Sequence, residues 1–535
     1  MRKRKASSDS EDTKRRLVRR RKTGVTKSKT KKKSLGKLAQ KAAKPDYNTN
    51  IEGADEITLD DFAGASLTHY GSYVVEERAV PDYRDGLKPV HRYILWAMHD
   101  LGINSRSGYK KSARTIGDVL GKYHPHGDQS AYGAMSTLVN YKLDPQLVQG
   151  QGNWGTPVDP HAAMRYTEAR LSAFSDIFLL DKHYLKTVPK IDNFDQTLKV
   201  PLYLPATLPT LMITGSSGIG FGIASSNPPF GVDGVYKMAV SSLKAFAAKK
   251  KVTYKTCMKN LTIDYGFGCT QVSGDDEMED LFKTGKASIK FVPEIKVDPK
   301  TKTIEIVSFA PGFRSVSGIQ KKLDKIAGWD GVSRAGDNSG AKNKKAGKLG
   351  AYYYVTASRG TSEQALYDLA DRVYKEVTGS ESYDLGFTIR NHEDRNQFIK
   401  SGYPAYFNNW AKYRFILEHK AIAIHIEERK AAIALLELKV LAVDKRDIIM
   451  QVLKSKTKDL DATLAKKLRI PLEDAKTILN LQTRRLAALE KPQLLAEIKD
   501  LKSQIRDLQK DDANPLKRIL RITKEQYDTY RKRIK

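Results

Sequence analysis

Tyr166 directly follows Arg165, and Arg170 stands four residues further on, within HAAMRYTEARLS (161–172). A tyrosine hydroxyl has an unperturbed pKa of about 10, so at neutral pH it is a poor nucleophile. A neighbouring guanidinium favours the phenolate and also grips phosphate oxygens. The pair therefore suits attack on a phosphodiester, with the broken strand held as a phosphotyrosine ester. Because the chain has 26 tyrosines, an Arg-Tyr step taken alone is an ordinary surface or core pair. What gives this one weight is its company upstream: RDGLKPVHR (84–92), KKSARTIGDVLGKYHPHGD (110–128) and QGQGNWG (149–155).

Two histidines, His124 and His126, lie in the HPHGD segment. A His-x-His pair near a tyrosine also occurs in metal-dependent rolling-circle nucleases. Here no third His or Cys ligand stands nearby, which favours phosphate contact by the imidazoles over metal binding. Capping of the turn is the plain structural alternative. QGQGNWG either offers backbone amides to a phosphate or forms a simple tight turn.

The elements that must position these residues follow from periodicity. A helix is predicted from about Lys88, with Val90, Ile94, Ala97, Met98 and Leu101 forming its buried stripe. Lys88, His91 and Arg92 fall at i, i+3 and i+4 and so share its polar face. A second helix is predicted over 110–122, with Ala113, Ile116 and Leu120 inward and Lys110, Lys111 and Arg114 outward. A third runs from about Gln129 to Val139. Three short helices with a basic middle member fit a helix-turn-helix or winged-helix unit. Tyr166 then falls on the wing side, beyond Trp154.

From Ile191 the texture changes. PLYLPATLPTLMITGSSGIGFGIASSNPP alternates apolar residues with Pro and Gly, which predicts strands and tight turns. Residues 231–400 mix short helices with strand-like runs such as SIKFVPEIKV and TIEIVSF. WDGVSRAGDNSGAKNKKAGKLG (329–350) has little to bury and is predicted to be an exposed loop. After Gly402 there is no glycine, and from 405 to 470 no proline. Ile416, Ile422, Ile426, Ile433, Leu436, Val440 and Val443 recur through that interval, which predicts a long helix, helix hairpin or coiled coil. A further helix, about Gln493–Gln509, is predicted to return along it.

The totals bound the partners. At 535 residues the chain has room for two to four domains. It carries 93 Lys/Arg against 62 Asp/Glu, a net +31. Residues 1–45 hold 19 basic and 3 acidic side chains, a net +16, and the other 490 residues hold 74 and 59, a net +15. The first segment is too polar to fold alone, and is expected to be a disordered arm for a polyanion or a nuclear-import signal. The folded part is basic as well, which points to nucleic acid rather than a membrane surface. No signal peptide or transmembrane run is legible. Two cysteines, Cys257 and Cys269, are too few for a disulfide framework or a cysteine-built zinc site, and fit a reducing compartment.

Together and in this order, the motifs resemble the breakage-reunion subunit of type IIA DNA topoisomerases, the gyrase A and topoisomerase IV A family. The resemblance runs from about residue 57 to the C-terminus and is strongest at 78–227 and 471–490. It implies an α+β multidomain chain: a disordered basic tail (1–45), a winged-helix breakage-reunion domain (57–190), an α/β tower (191–400), and long coiled-coil helices ending in a small helical dimer gate (401–535). It implies Tyr166 as nucleophile, with Arg165 steadying the phosphate. Arg78, Lys88, His91 and Arg92 would contact the cleaved DNA backbone, and Lys110, Lys111, Arg114, His124 and His126 would complete the DNA-binding set. Ile219, in SSGIG, would wedge between base pairs and bend the duplex. Without the resemblance it would be a core isoleucine in a Gly-rich turn.

Three family parts are not legible in the sequence: a GHKL-type ATPase, the acidic cluster of a TOPRIM domain, and the β-pinwheel that wraps DNA. Mg²⁺ and ATP are therefore expected on a separate ATPase/TOPRIM subunit, gyrase B-like, giving a heterotetramer with a homodimer of this chain closed by the C-terminal gate. Such a short, split architecture resembles topoisomerases of large bacteriophages. The expected location is intracellular and DNA-associated, in cytoplasm or nucleoid, with the nucleus open through the tail. The family's fluoroquinolone contacts, a Ser and an acidic residue just after HPHGD, are replaced here by Gln129 and Gly133. Two other classes fit the same residues: a tyrosine nickase or recombinase, and a catalytically inactive DNA-binding architectural protein.

Overall fold

The computed structural model describes residues 58–534 apart from 140–144, 156–159, 221, 266–267, 309–315, 341–342, 390–396, 456 and 481–489. The basic tail 1–45 thus lies outside the described residues. The chain divides into two units, Met1–Ala65 and Ser66–Lys535. Of the first, only Thr58 and the opening of helix α1 (Leu59–Val74) are described. All later elements belong to the second.

A single π-helical turn, Val75–Ala79, precedes helix α2 (Pro89–Asp100). Lys88 is the N-cap and is extended, with φ −74° and ψ 156°, because a residue before proline is pushed out of the helical region. Pro89 suits the first helical position, where its missing N–H is not needed. The buried face is wider than the predicted stripe. It holds Arg92, Tyr93, Ile94, Leu95, Ala97 and Met98, whereas Val90 and Leu101 are half-buried.

Lys110–Lys111 form a short strand, β1, so helix α3 begins later than predicted and spans Ser112–Lys122. Its inward face is Ser112, Thr115, Ile116 and Val119, with Ala113 and Leu120 only half-buried. Helix α4 (Asp128–Val139) follows the HPHGD turn. Strands β2 (Val148–Gln151) and β3 (Glu168–Leu171) complete an antiparallel sheet in the order β1-β3-β2. Its register pairs Lys111 with Glu168 and Gln149 with Arg170. QGQGNWG is thus a strand end and a turn. Gly150 is needed there because a Cβ would collide with the Trp154 indole and the Val139 side chain.

These helices share one core with Val200, Leu204, Leu211, Phe230, Leu243 and Leu261, so no break in packing falls near residue 190. The same core takes in Tyr383, Leu385, Phe387 and the first turns of the long helix. A hairpin of β4 (Ser216–Gly220) and β5 (Ile223–Asn227) belongs to a five-stranded sheet at its border. A second core lies within 304–377. There a four-stranded antiparallel sheet is built from Ile295–Asp298, Thr303–Ile306, Tyr353–Ala357 and Val332–Asp337, and is accompanied by helices Val316–Ala327 and Glu363–Val377. The expected exposed loop at 329–350 is therefore corrected in part. Val332 and Ala335 pack on this second core, and that packing draws Val332–Asp337 into the sheet as its edge strand.

The glycine-free stretch forms helix α5 (Tyr403–Asp444), 42 residues long. Its first half is buried through Tyr403, Tyr406, Phe407, Trp410, Arg414, Leu417 and Ile422. Its second half pairs with helix α6 (Lys491–Ala513) through Ile433, Leu436, Leu494 and Ile498. Beyond it, Ile449, Val452, Leu464, Ala475 and Ile478 make a small separate core of short helices. Of the predicted gate segment 471–490, helix Leu472–Leu479 is described and 481–489 lie outside the described residues. Helix α7 (Pro515–Ile534) is an element that the sequence reading does not separate. It leaves α6 and returns to the main core, where Tyr527 stacks on Tyr236 at 4.0 Å and Tyr530 meets Phe174 and Phe178 edge-on.

Candidate active site and nucleic-acid interface

Tyr166 sits on a tight turn two residues before β3 and is 64% exposed. The turn is closed by the Tyr166 N–H donating to the Ala163 carbonyl at 2.9 Å. The Arg165 guanidinium lies 4.6 Å from the Tyr166 ring centroid, over the ring face rather than at the hydroxyl. A phosphate at the hydroxyl would therefore lie within reach of an exposed cation on a flexible stem. Backbone bonds tie this turn to the start of α3: Ser112 N–H donates to the Thr167 carbonyl at 3.0 Å, and Ala113 N–H to the Met164 carbonyl at 3.3 Å. Lys110, Lys111 and Arg114, all exposed, lie on β1 and the first turn of α3, the elements that these bonds join to the turn. Lys111 also pairs with Glu168 at 3.0 Å.

Arg170 does not join them as a free cation. It is half-buried, donates to Gln149 Oε1 at 3.0 Å and to the Ser107 carbonyl at 2.9 Å, and lies 4.3 Å from the Tyr109 ring centroid. It braces the loop that leads into β1.

A second group gathers around the π-helical turn. Arg78 is exposed there. The β4–β5 hairpin packs its backbone directly on that turn, and Gly218 is required because a Cβ would collide with the Ala79 carbonyl oxygen. Lys88 Nζ donates to the Ser217 carbonyl at 2.7 Å. Burial, and then the Arg78 charge, hold the Lys88 amine below its usual range. Ile219 points outward from β4 and is 83% exposed, the highest value among the described large hydrophobics. The alternative of a core isoleucine is thus excluded.

His124 packs against Tyr93 at 6.0 Å and meets His126 edge-on at 4.2 Å, while His126 Nε2 lies 3.1 Å from the Tyr73 hydroxyl. Burial, then His126 and Arg78, push His124 down to about 4. His91, 3.4 Å from Thr137 Oγ1, is pushed down to about 3 by burial and then by the charges of Lys88 and Arg92. At neutral pH both rings are uncharged, so their contact with a phosphate would be through N–H donation rather than charge.

Arg92 departs from expectation. Its guanidinium donates to both carboxylate oxygens of Asp85, at 2.7 and 3.1 Å, and to the Leu87 carbonyl at 3.0 Å. The residue is 1% exposed. The i+4 spacing from Lys88 predicts a surface position, but Lys88 lies outside the helix, and Arg92 faces the core. Among the described residues no three His, Cys, Asp or Glu side chains gather as a possible metal site. Cys257 and Cys269 are free thiols that burial pushes up to about 12.

Sequence reasoning missed three buried hydroxyls, Ser112, Tyr132 and Thr167, that converge beneath the Tyr166 turn. They are 20 and 35 residues apart in the chain, and no spacing rule joins them.

Residues 78–527 match the family described as the A subunit of DNA gyrase/topoisomerase IV. The chain is 32% identical to the DNA topoisomerase 4 A subunit of Haemophilus influenzae over 466 residues, covering 85% of this chain and 60% of that protein. It is 32% identical to the DNA gyrase A subunit of Campylobacter fetus over 474 residues, covering 85% and 52%. With the DNA topoisomerase 4 A subunit of Pseudomonas aeruginosa the identity is 38% over 282 residues, covering 52% and 36%. The chain thus spans about half to three-fifths of the length of the relatives it matches most fully. Among the described residues no helix is long and apolar enough to cross a membrane.

Proposed function

Since this chain belongs to the family of DNA gyrase and topoisomerase IV A subunits, we propose that it is the DNA cleavage–religation subunit of a type II topoisomerase. The observation that carries the reading is Tyr166: a large aromatic left 64% exposed on a turn that is hydrogen-bonded to the start of α3, with a guanidinium over its ring. The α2–α4 helices and the β1-β3-β2 sheet support a winged-helix reading of this region. The second core, within 304–377, supports the tower reading of 191–400, and the α5–α6 pair with its small terminal core supports a coiled coil and dimer gate.

The Tyr166 phenolic oxygen attacks a backbone phosphorus. A phosphotyrosine bond forms as the bond to the departing deoxyribose oxygen breaks, and the phenolic proton ends on that oxygen. Arg165 steadies the phosphate charge. The ester conserves the bond energy, so religation reverses the same step without ATP. Two copies, each attacking one strand, would open a duplex bent by Ile219 and let a second duplex through.

Among the described residues no three His, Cys, Asp or Glu side chains gather to hold a cation. Mg²⁺ and ATP are proposed to come with a separate gyrase B-like subunit, in a heterotetramer with a dimer of this chain. The test is denaturant trapping of a covalent DNA adduct from the chain reconstituted with that subunit. Wild-type protein is expected to give the adduct, and Tyr166→Phe is expected to bind DNA without giving it. An adduct from the variant would remove Tyr166 as nucleophile. Nicks from the chain alone would favour the nickase reading.

A further inference from the structure

Tyr132 reaches across from α4 to the turn that carries Tyr166. Its hydroxyl lies 2.9 Å from the Ala162 carbonyl, to which it donates, and 2.8 Å from Thr167 Oγ1. Thr167 Oγ1 in turn lies 2.8 Å from Ser112 Oγ, at the first residue of α3, so one proton per hydroxyl runs from Ser112 to Thr167 to Tyr132 to the Ala162 carbonyl. Tyr132 is 1% exposed, Ser112 is fully buried, and so is Thr167. The His161 ring sits edge-on to Tyr132 at 4.8 Å, and its Nδ1 lies 3.1 Å from the same Ala162 carbonyl oxygen. The chain of hydroxyls therefore touches both ends of the segment Ala162–Thr167 and joins it to two helices.

We propose that Ser112, Tyr132 and Thr167 are positioning residues for cleavage: their buried hydroxyl chain fixes the Ala162–Thr167 turn and so sets where the Tyr166 oxygen stands relative to the phosphate. The inference rests on the reading of Tyr166 as nucleophile, and adds to it the residues that hold the nucleophile in place. None of the three touches the reacting atoms. Their hydroxyls bond one another and the backbone in a buried site, where a donor or acceptor left unmade is expensive. Removing the Tyr132 hydroxyl leaves the Ala162 carbonyl with the His161 Nδ1 contact alone and Thr167 without its acceptor, and the turn relaxes to replace them. Misplacing a reacting group by about 1 Å costs about 100-fold in rate even when the change lies away from the chemistry. Burial holds the Tyr132 phenol above its usual range, so it remains a proton donor throughout the neutral and mildly alkaline span.

The experiment compares wild type with Thr167→Val, Thr167→Ser and Tyr132→Phe. Thr167→Val keeps the shape and deletes the hydroxyl, Thr167→Ser keeps the hydroxyl, and Tyr132→Phe removes one oxygen. Three quantities are read. Duplex affinity and amide hydrogen exchange over 162–168 are measured on the full chain alone. Single-turnover adduct formation is measured after reconstitution with the gyrase B-like subunit, with Tyr166→Phe as the control. The expected result is unchanged duplex affinity, faster exchange confined to 162–168, and cleavage slowed about 10- to 100-fold in Thr167→Val and Tyr132→Phe. Thr167→Ser should restore cleavage to within about threefold of wild type.

Wild-type cleavage rates in both hydroxyl-deleted variants would overturn the proposal. So would equal losses of affinity and cleavage in all of them, which would mark a general folding role. Failure of the nucleophile reading shows itself separately, as an adduct from Tyr166→Phe. The exchange measurement on the chain alone still reports whether the hydroxyls hold the turn.

Discussion

Arg92 and Asp85 face each other beneath the protein surface, Nε to Oδ2 at 2.7 Å, with both side chains sealed from water. The Asp85 carboxylate also accepts the backbone N–H groups of Leu87 at 3.0 Å and Leu204 at 2.8 Å. The pair therefore ties α2 to the segment that runs beneath it. Breaking a buried pair by removing one partner costs about 3–5 kcal/mol, because the other charge stays buried and unpaired. Arg92→Gln should lower unfolding free energy by about that amount in urea titrations. The competing idea, that Arg92 touches DNA, makes a different prediction. Loss of one phosphate contact flattens log affinity against log salt by about 0.9. An unchanged slope is expected here; a flattened slope with unchanged stability would restore Arg92 to the interface.

The two depressed histidines set a pH dependence. Folding takes His91 from 6.5 down to about 3 and His124 from 6.5 down to about 4, in both cases chiefly through burial. A folded-state value below the unfolded one means that protonation favours the unfolded chain. Their contribution is complete above about pH 6.5 and is lost as the pH falls from there towards about 4 and then about 3. Burial works to raise buried Asp82, but the Arg84 guanidinium outweighs it and the carboxyl is depressed; its stabilising share disappears lower, below the ordinary carboxylate value of 3.8. Urea midpoints at pH 7 and pH 5 check this. The drop between them should shrink in His91→Gln and shrink further with His124→Gln added. A drop of the same size in the double variant would show that neither ring titrates in this window.

Much of the frame is legible in the sequence alone, because its signals are local. Pro89, the HPHGD turn and the glycine-free run after Gly402 each fix a helix boundary through backbone chemistry that neighbours do not override. Lys110–Lys111 reads as helix but folds as strand, because pairing with Glu168 and Ala169 outweighs helical continuation, and that pairing is invisible until β3 is placed. Arg92 misleads for a related reason: periodicity gives the angle of the side chain but not which side of α2 the core occupies. The Ser112–Tyr132–Thr167 chain leaves no trace in the sequence, since hydroxyl residues that meet only through tertiary packing have no characteristic spacing. The gathering of Arg78, Lys88 and Ile219 likewise depends on Gly218 letting one backbone rest on another.

Ile219 supplies a separate test. It is 83% exposed, so Ile219→Ala should change folding stability by no more than about 0.5 kcal/mol. If the side chain wedges into a base step, the bend it imposes should shrink. End-to-end energy transfer on a duplex bound to the chain reads this directly. An identical transfer efficiency for the two proteins would mean the side chain does not enter the stack.

Gln129 and Gly133 lie on the outer part of α4, where the resemblance implies a weakened fluoroquinolone bridge. A Cβ at Gly133 meets nothing within 4 Å, so an aspartate is accommodated without displacing a neighbour. Gln129→Ser combined with Gly133→Asp should therefore fold normally and raise drug-trapped cleavage in a dose series on the reconstituted enzyme. Equal potency on the variant and the wild type would show that these positions do not govern the drug.

Helix α5 has one end clamped and the other carried outward beside α6. At the usual rise of about 1.5 Å per residue, the part beyond Ile422 makes an arm about 33 Å long. A tilt of roughly 5° at the clamped part sweeps the far end through roughly 3 Å over that length. The clamp is ionic as well as apolar: Arg414 and Glu418 are locked to each other at 3.0 Å and to Tyr184 at 2.8 Å, and Arg518 of α7 closes on Glu418 at 2.7 Å. The geometry works as a gear with a high ratio. Large travel of the small terminal core demands only a slight rotation at the base, and the bolt that resists that rotation is fastened by the last helix of the chain.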